Sequence, residues 1–293
     1  RYSYGIVGND EIGGRFNYIS RVDMTESTRK GYFGEMRGVQ YNGIEIDSYA
    51  NEDITWEKSY KHNVALELGL FKKLDIIAEY WSEHRKDIYM TRADIPNTMG
   101  LQASVSANVG EALAHGIDIQ SDYRQVWNKH LWTSARGNFT FARGTYSVYE
   151  EPVYEESYRQ HAGRPINQMW GYIAERLFVD DEEAYNSPSQ QAFGSQYGGG
   201  DIKYTDVNGD GQITSADRVP IGNPYSPEII YGFGFSAGYK GFDASIFFQG
   251  SANQSIWLDA QSMAPFVNNT QLLQAFADSH WSEDNRDIYD LWP

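Results

Sequence analysis

Hydrophobic residues recur at every second position along this chain, over runs longer than most soluble strands. From Asn63, Val64, Leu66, Leu68 and Leu70 fall on one face, with Ala65, Glu67 and Gly69 on the other. From Gly116, Ile117, Ile119, Ser121 and Tyr123 alternate with Asp118, Gln120, Asp122 and Arg124. From Leu131, Ala135, Gly137, Phe139 and Phe141 alternate with Trp132, Ser134, Arg136, Asn138 and Thr140. Tyr231, Phe233 and Phe235 then alternate with Gly232, Gly234 and Ser236, and Phe242, Ala244, Ile246 and Phe248 with Asp243, Ser245, Phe247 and Gln249. One oily and one polar face is strand patterning. Residues 54–71, 74–92, 112–127 and 130–146 each read as one continuous strand. Globular strands usually hold about 5–6 residues, whereas a tilted strand in a bilayer needs roughly 9–11. Charge on the polar face suits a wet lumen, and the oily face then meets lipid. A large β-sandwich with one solvated face per sheet also fits the alternation.

The connections divide into two kinds. Phe71-Lys-Lys-Leu-Asp75 and Tyr239-Lys-Gly-Phe-Asp243 are short polar links, the form expected of tight periplasmic turns. Residues 147–228 form a long insertion rich in Gly, Ser, Gln, Asn and acids, in which 185–202 reads as an exposed loop with a flexible Tyr197-Gly-Gly-Gly200. The tail from Asn253 to Pro293 carries a predicted helix over Thr270 to Ser279. The opening Arg1-Tyr-Ser-Tyr-Gly5 lacks the charged region and apolar core of a signal peptide and reads as a truncated or processed start.

Composition narrows the functions further. Lys plus Arg number 24 against 40 for Asp plus Glu, a net charge of -16, which argues against nucleic acid as a partner. No run of eighteen apolar residues exists to form a spanning helix, but barrel strands give a far weaker hydropathy signal than helices. Cysteine is absent, so disulfides, thiol catalysis and thiolate metal sites are excluded. Aromatics make up 15%, as at membrane interfaces and also in sugar-binding β-proteins.

The sharpest motif is Asp206-Val-Asn-Gly-Asp-Gly-Gln-Ile-Thr-Ser-Ala-Asp217. With Asp206 at position 1, Asn208 falls at 3, Asp210 at 5, Gly211 at 6, Gln212 at 7 (a carbonyl ligand) and Asp217 at 12. This spacing wraps oxygen donors around one Ca²⁺ ion, with Asp217 standing where Glu is usual. The bland reading is an Asx- and Gly-rich turn without metal. The six His show no metal-like spacing and read as surface or loop residues. Gly232, Gly234 and Gly238 lie inside a strand pattern and serve packing, not dinucleotide binding. Asp180-Asp-Glu-Glu183 reads as a solvated run before it reads as a catalytic pair. Trp170, Tyr172, Tyr197 and Tyr204 suit sugar stacking and loop packing equally. No catalytic constellation stands out.

Several stretches carry a family resemblance: Tyr4-Gly-Ile-Val-Gly-Asn-Asp10, Thr55-Trp-Glu-Lys58, Glu79-Tyr80-Trp81, Asn108-Val-Gly110 with Gly116-Ile-Asp118, and Gly200-Asp-Ile-Lys-Tyr204 running into the Asp206–Asp217 loop. Tyr239-Lys-Gly-Phe-Asp243, Phe247-Phe-Gln-Gly250 and His280-Trp-Ser-Glu-Asp-Asn285 follow in the same order. The chain resembles the carboxy-terminal half of SusC/RagA-type TonB-dependent outer-membrane transporters. That resemblance implies a plugged barrel, a SusD-like surface lipoprotein over the lumen, and TonB engaged through an amino-terminal region this sequence lacks. It also implies oligosaccharide or peptide as cargo.

The expectations are therefore an all-β fold: the antiparallel transmembrane β-barrel portion of a TonB-dependent transporter, with long extracellular loops, spanning 1–293 and placed in the outer membrane of a Gram-negative bacterium. The insertion at 147–228 would carry a Ca²⁺ loop at 206–217 bound by Asp206, Asn208, Asp210, Gln212 and Asp217. The chain would import cargo and catalyse nothing. Lacking a plug and end strands, it would either complete its barrel with other chains or be one part of a longer chain, because an open edge cannot face lipid. The runner-up is a secreted, calcium-stabilised β-sandwich that binds polysaccharide, and a glycoside hydrolase working through two loop carboxylates stands behind it.

Overall fold

The computed structural model describes residues 1–12, 14–267 and 271–292. In chain order the strands are β1 (Tyr2–Asn9), β2 (Arg21–Phe33), β3 (Val39–Ser48), β4 (Glu57–Leu70), β5 (Leu74–Thr91), β6 (Ser106–Asn128), β7 (Leu131–Val148), β8 (Trp170–Gly171), β9 (Ala174–Leu177), β10 (Ile202–Tyr204), β11 (Val219–Pro220), β12 (Ile229–Tyr239) and β13 (Phe242–Ala252). Three short α-helices accompany them: α1 (Asp181–Asn186), α2 (Ala260–Met263) and α3 (Gln274–Asp278). The helix expected over 270–279 is realised as α3, and its expected start at Thr270 lies outside the described residues.

The chain divides into two compact units. The first comprises Arg1–Val153, His161–Ile166 and Glu228–Ala252. Its centre is a seven-stranded antiparallel sheet in the order β1-β4-β5-β6-β7-β12-β13, with β2 and β3 pairing as a separate hairpin. The expected strands at 54–71, 74–92, 112–127 and 130–146 appear as β4 to β7. Three of them are long: β5 and β7 have 18 residues each and β6 has 23. At roughly 3.4 Å per residue, even the 14 residues of β4 cross a ~30 Å hydrocarbon core at a tilt of ~40°.

Register decides what each face presents. Val64, Tyr80, Ile117, Phe141 and Ile229 align in one row across the sheet. Leu66, Ala78, Ile119, Phe139 and Tyr231 form the next, and the last row runs from Leu70 and Leu74 to Phe235 and Ile246. These side chains stand in the open, Leu66 at 58% and Ile246 at 56% exposed, while Ala65 and Ala112 on the opposite face are buried. A sandwich would bury its oily rows between two layers, so this exposure removes the soluble reading.

The tight turns gather at one end of the sheet. Phe71 and Lys72 take positive φ (56° and 55°), as do Lys240 (49°) and Gly241 (91°), the left-handed pair that matches a hairpin's twist. Only Asn128, Lys129, His130 and Leu131 turn β6 into β7. Every long connection (10–56, 92–105, 149–228) leaves from the other end. Gly238 is a packing glycine: a Cβ there would lie 2.2 Å from Trp132 Nε1, so only glycine lets the indole cross β12.

The second unit comprises Tyr154–Gln160, Asn167–Pro227 and Asn253–Pro293, so the insertion expected as one piece is shared between the two units. It holds the pairs β8–β11 and β9–β10 around a small core of Phe178, Ile213, Ala184 and Leu177. The loop at 185–202 is less open than expected. Gln190 is buried and clamps β10 by donating to the Ile202 carbonyl (2.9 Å) and accepting from the Tyr204 N–H (2.8 Å). The glycine triplet is also tied down. Gly199 donates to Asp181 Oδ1 (2.9 Å), Gly200 donates to the Phe178 carbonyl (2.9 Å), and Trp281 lies so close to Gly200 that a Cβ would sit 2.6 Å from its ring. These glycines serve close approach rather than looseness.

Candidate functional site

The polar face of the sheet is an organised surface. Glu79 and Asp118 pair across β5 and β6, the row that continues to Thr140 on β7. Asp118 accepts from Trp81 Nε1 (3.0 Å) and Thr140 Oγ1 (2.7 Å), and Glu79 accepts from Asn63 Nδ2 (3.2 Å) and Arg1 Nη2 (3.0 Å). Trp81 rests on Gly116, where a Cβ would meet its ring at 2.5 Å and the Phe141 carbonyl at 2.4 Å. Further along, Glu83 accepts from Ser59 Oγ (2.6 Å) and Arg85 Nη2 (3.0 Å), with Lys61 Nζ at 3.6 Å. Glu57, Glu83, Arg85, Ala112 and Tyr146 line a cavity of about 220 Å³ on the same unit. Such a face presents hydrogen-bond donors and acceptors to the water on that side of the sheet. Periodicity separates this face from the oily one, but nothing local in sequence pairs Trp81 with Asp118.

The five predicted calcium ligands fall within one turn but do not play one role. Asp206 accepts from the Gly209 and Gly211 N–H groups (2.7 and 2.8 Å), with both glycines at positive φ. Asn208 Oδ1 accepts from the Asp210 N–H (3.1 Å), and Asp210 Oδ1 accepts from the Gln212 N–H (2.8 Å). Asp217 turns inward. It is fully buried and accepts from the Val207 N–H (2.9 Å) and the Thr214 N–H (2.7 Å), joining the ends of the loop and capping the short 3₁₀ turn Ser215–Asp217. Tyr158 braces that turn by donating to the Ala216 carbonyl (2.9 Å), and burial pushes its phenol above the usual range. Among the described residues, no three His, Asp or Glu side chains converge to hold a metal ion. Asp206, Asn208, Asp210 and the Gln212 carbonyl nevertheless form an all-oxygen set, and an oxygen that accepts one N–H keeps a lone pair for a hard cation.

The acidic run beside it is structural. Asp180 caps α1 by accepting from the Glu183 N–H (2.9 Å), and Glu183 is gripped by Arg176, by Lys203 Nζ (3.0 Å) and by the Val179 N–H (2.9 Å). Arg176 above all, then that N–H and Lys203, hold its carboxyl down at about 2. Sequence reading missed this cluster, although Asp-x-x-Glu before an apolar residue is the signal of a capped helix start. Tyr172 and Tyr204 pack with Phe193 (ring centroids 4.8 and 5.1 Å), so two of the four candidate stacking aromatics hold one another. Of the His, three lie in strands rather than loops: His62, His84 and His115.

An extended sheet with exposed oily rows, a hydrogen-bonded polar face and turns sorted by length defines the wall of a transmembrane β-barrel. The sequence matches the family described as "TonB dependent receptor-like, beta-barrel" over residues 9–261, and the chain belongs to that family of Gram-negative outer-membrane proteins, which are not enzymes. It is 26% identical to TonB-dependent receptor P3 of Formosa agariphila over 274 residues, 87% of this chain and 26% of the relative. TonB-dependent receptor P39 of the same organism is also 26% identical, over 92% of this chain and 28% of the relative. The chain thus spans about a quarter of the length of the curated relatives it matches. Among solved structures, the RagAB peptide importer in its "open-open" state is similar in fold over 100% of this chain and 30% of its own (TM-score 0.68, 20% identity). The RagAB peptide transporter is similar over 99% of this chain and 31% of its own (TM-score 0.66, 18% identity).

Proposed function

We propose that this chain builds part of the wall and one large extracellular loop of an active importer, with its polar face lining the path of an oligosaccharide or peptide. The sorting of tight turns and long connections to opposite ends of an amphipathic sheet carries the reading, since it orients the loops toward the cargo side. In this proposal a SusD-like lipoprotein closes over the long loops, and TonB supplies energy through an amino-terminal region outside this sequence. The RagAB structures support peptide as one cargo class, and the resemblance to the SusC type supports oligosaccharide as the other. Further strands pair with β1 and β13, because each unpaired backbone group facing lipid costs several kcal/mol. Ca²⁺ at Asp206, Asn208, Asp210 and the Gln212 carbonyl would stiffen the second unit where a lid partner docks.

The test is uptake by cells that produce the full-length receptor. Deleting the receptor gene should stop growth on one polymer or peptide source, and complementation should restore it only when the lipoprotein is present. Growth that is unchanged on every such source would remove the import reading.

A further inference from the structure

The segment 185–202 is tied down around a cavity of about 260 Å³ in the second unit. Buried Gln190 lines it, and both ends of that amide are spent on β10, at the Ile202 carbonyl and the Tyr204 N–H. Three aromatic residues also line it, and each ring is held by another. Phe193 ends a 3₁₀ turn (Gln191–Phe193) and packs against Tyr204 at 45° and edge-on to Tyr172 at 90°, while Tyr197 leans on Phe178 (centroids 6.2 Å). Phe193 nevertheless stays 49% exposed, so part of a rigid ring faces water. The remaining polar lining is Gln196 and Asp201. Asp201 Oδ2 accepts from the Gly198 N–H (2.9 Å), which fixes the carboxylate. Among the described residues, Asp201 Oδ1, the Gln196 amide and the hydroxyls of Tyr197 and Tyr204 have no hydrogen-bond partner. No cationic side chain lines the cavity.

We infer that this cavity holds one ring of a neutral oligosaccharide. A sugar ring has an apolar C–H face that suits a fixed aromatic ring, and hydroxyls at its edge that both donate and accept. The Gln196 amide and the two phenols also do both, and neighbouring hydroxyls can share the lone pairs of the Asp201 carboxylate. The one carboxylate repels phosphate, sulfate and uronic acids, and no cation offsets it. An ammonium group suits the carboxylate and the rings, but it only donates and leaves the amide and phenol hydrogens without acceptors. An extended peptide presents its N–H groups singly on alternating sides, so it cannot bring two adjacent donors to one carboxylate. The volume lies just below the roughly 300 Å³ at which drug-sized pockets begin, which limits the occupant to a single ring. The cavity belongs to the connection 149–228, which leaves the sheet at the end opposite the tight turns. The inference rests on the import reading and narrows its cargo at this unit.

The experiment is saturation-transfer difference NMR on the full-length receptor in detergent. The neutral probes are cellotetraose, maltotetraose, mannotetraose and xylotetraose, set against tetragalacturonate, tetra-alanine and choline. Wild type should transfer saturation to at least one neutral tetraose, most strongly to the C–H protons of a single ring. Asp201→Asn, which keeps an oxygen for the Gly198 N–H, should weaken that tetraose roughly tenfold. Phe193→Leu should weaken it about fivefold, and so should Gln196→Ala, which has no hydrogen bond to lose in the folded loop. Protease protection of 185–202 checks that each variant is folded, and Gln196→Ala decides if the other two lose it. No neutral tetraose bound, saccharide binding unchanged in the folded variants, or variants that lose tetra-alanine or choline instead would each overturn the site. The gene-deletion strain separates the two readings. Growth unchanged on every polymer and peptide source removes import, whereas growth lost on one of them with no tetraose bound defeats the cavity alone.

Discussion

Arg176 meets Glu183 with both guanidinium nitrogens: Nη1 donates to Oε2 at 2.9 Å and Nη2 donates to Oε1. The pair joins β9 to α1, and Lys203 ties β10 to the same carboxylate. Because the folded carboxyl titrates at about 2 instead of 4.5, its stabilisation is complete above pH 4.5 and disappears as pH falls through about 2. A shift of that size corresponds to roughly 3 kcal/mol. Hydrogen exchange at the Val179 amide, which donates to Glu183, should therefore accelerate between pH 4.5 and 2 beyond the intrinsic pH effect. Glu183→Gln should weaken protection at pH 7 by roughly 2–3 kcal/mol and remove the extra acid dependence. An unaltered acid profile in the variant would place the stabilisation elsewhere.

The exposed oily rows make a separate prediction. Leu66 of β4 pairs with Ala78 of β5, whose other side pairs with Ile119 of β6, so the three share one oily row. Leu66→Arg or Ile119→Arg should cost roughly 2–4 kcal/mol in folding into liposomes, the depth-dependent penalty for a cation at mid-bilayer. Gln120→Arg, one residue away but on the polar face, should cost less than 1 kcal/mol by the same measure. Equal penalties at positions 119 and 120 would mean that the two faces do not see different solvents.

Legibility in the sequence followed the solvent. Strands β4 to β7, β12 and β13 announce themselves because lipid and water impose a period of two on Val64–Leu70 or Tyr231–Tyr239. The β2–β3 hairpin gives no such signal. Its alternation comes in short pieces that change phase: Val22 and Met24 alternate with Arg21 and Asp23, Ile44 and Ile46 with Glu45 and Asp47, but Val39 and Tyr41 fall out of phase with Ile44 and Ile46, so no single stripe runs the length of the pair. In the second unit, residues 185–202 read as an exposed loop because the order of this unit comes from contacts distant in sequence. Trp281 over Gly200 and the bond from the Leu177 N–H to the Ile288 carbonyl (2.9 Å) have no local signature. The Asp206 loop was legible as a spacing, but the inward turn of Asp217 was not, since position 12 reads alike whether its carboxylate faces a cation or the Thr214 N–H.

Gly116 fixes how Trp81 lies on the polar face. Gly116→Ala puts a methyl 2.4 Å from the Phe141 carbonyl and 2.5 Å from the indole, so the ring must leave and release Asp118. Overpacking of this kind costs about 1–3 kcal/mol. Trp81 fluorescence, isolated by replacing the other tryptophans of the receptor with Phe, should shift to the red as the indole gains water. Trp81→Phe should lower stability less than Gly116→Ala, because it removes one hydrogen bond without moving the strand. A blue or absent shift in the glycine variant would mean that the indole stays packed.

The two roles inside the Asp206–Asp217 loop can be separated by paired substitutions. Asp217 is fully buried, and each of its oxygens accepts a backbone N–H, so Asp217→Asn places an amide NH₂ against a donor, either Val207 or Thr214. An unsatisfied buried pair of donors costs about 1–3 kcal/mol whether or not calcium is present. Asp210 is exposed, and its bond from the Gln212 N–H survives in Asp210→Asn through the remaining carbonyl oxygen. That variant loses a negative charge from the oxygen set and the exposed bond from Asn208 Nδ2 (3.0 Å), which water can replace. Limited proteolysis of the full-length receptor should therefore cut near 205–217 in Asp217→Asn with or without Ca²⁺. Asp210→Asn should match wild type in chelator and fail to gain the protection that added Ca²⁺ gives wild type. If wild type gains no protection from Ca²⁺, the turn is held by Asp217 and the glycines alone, and the loop is a metal-free cap.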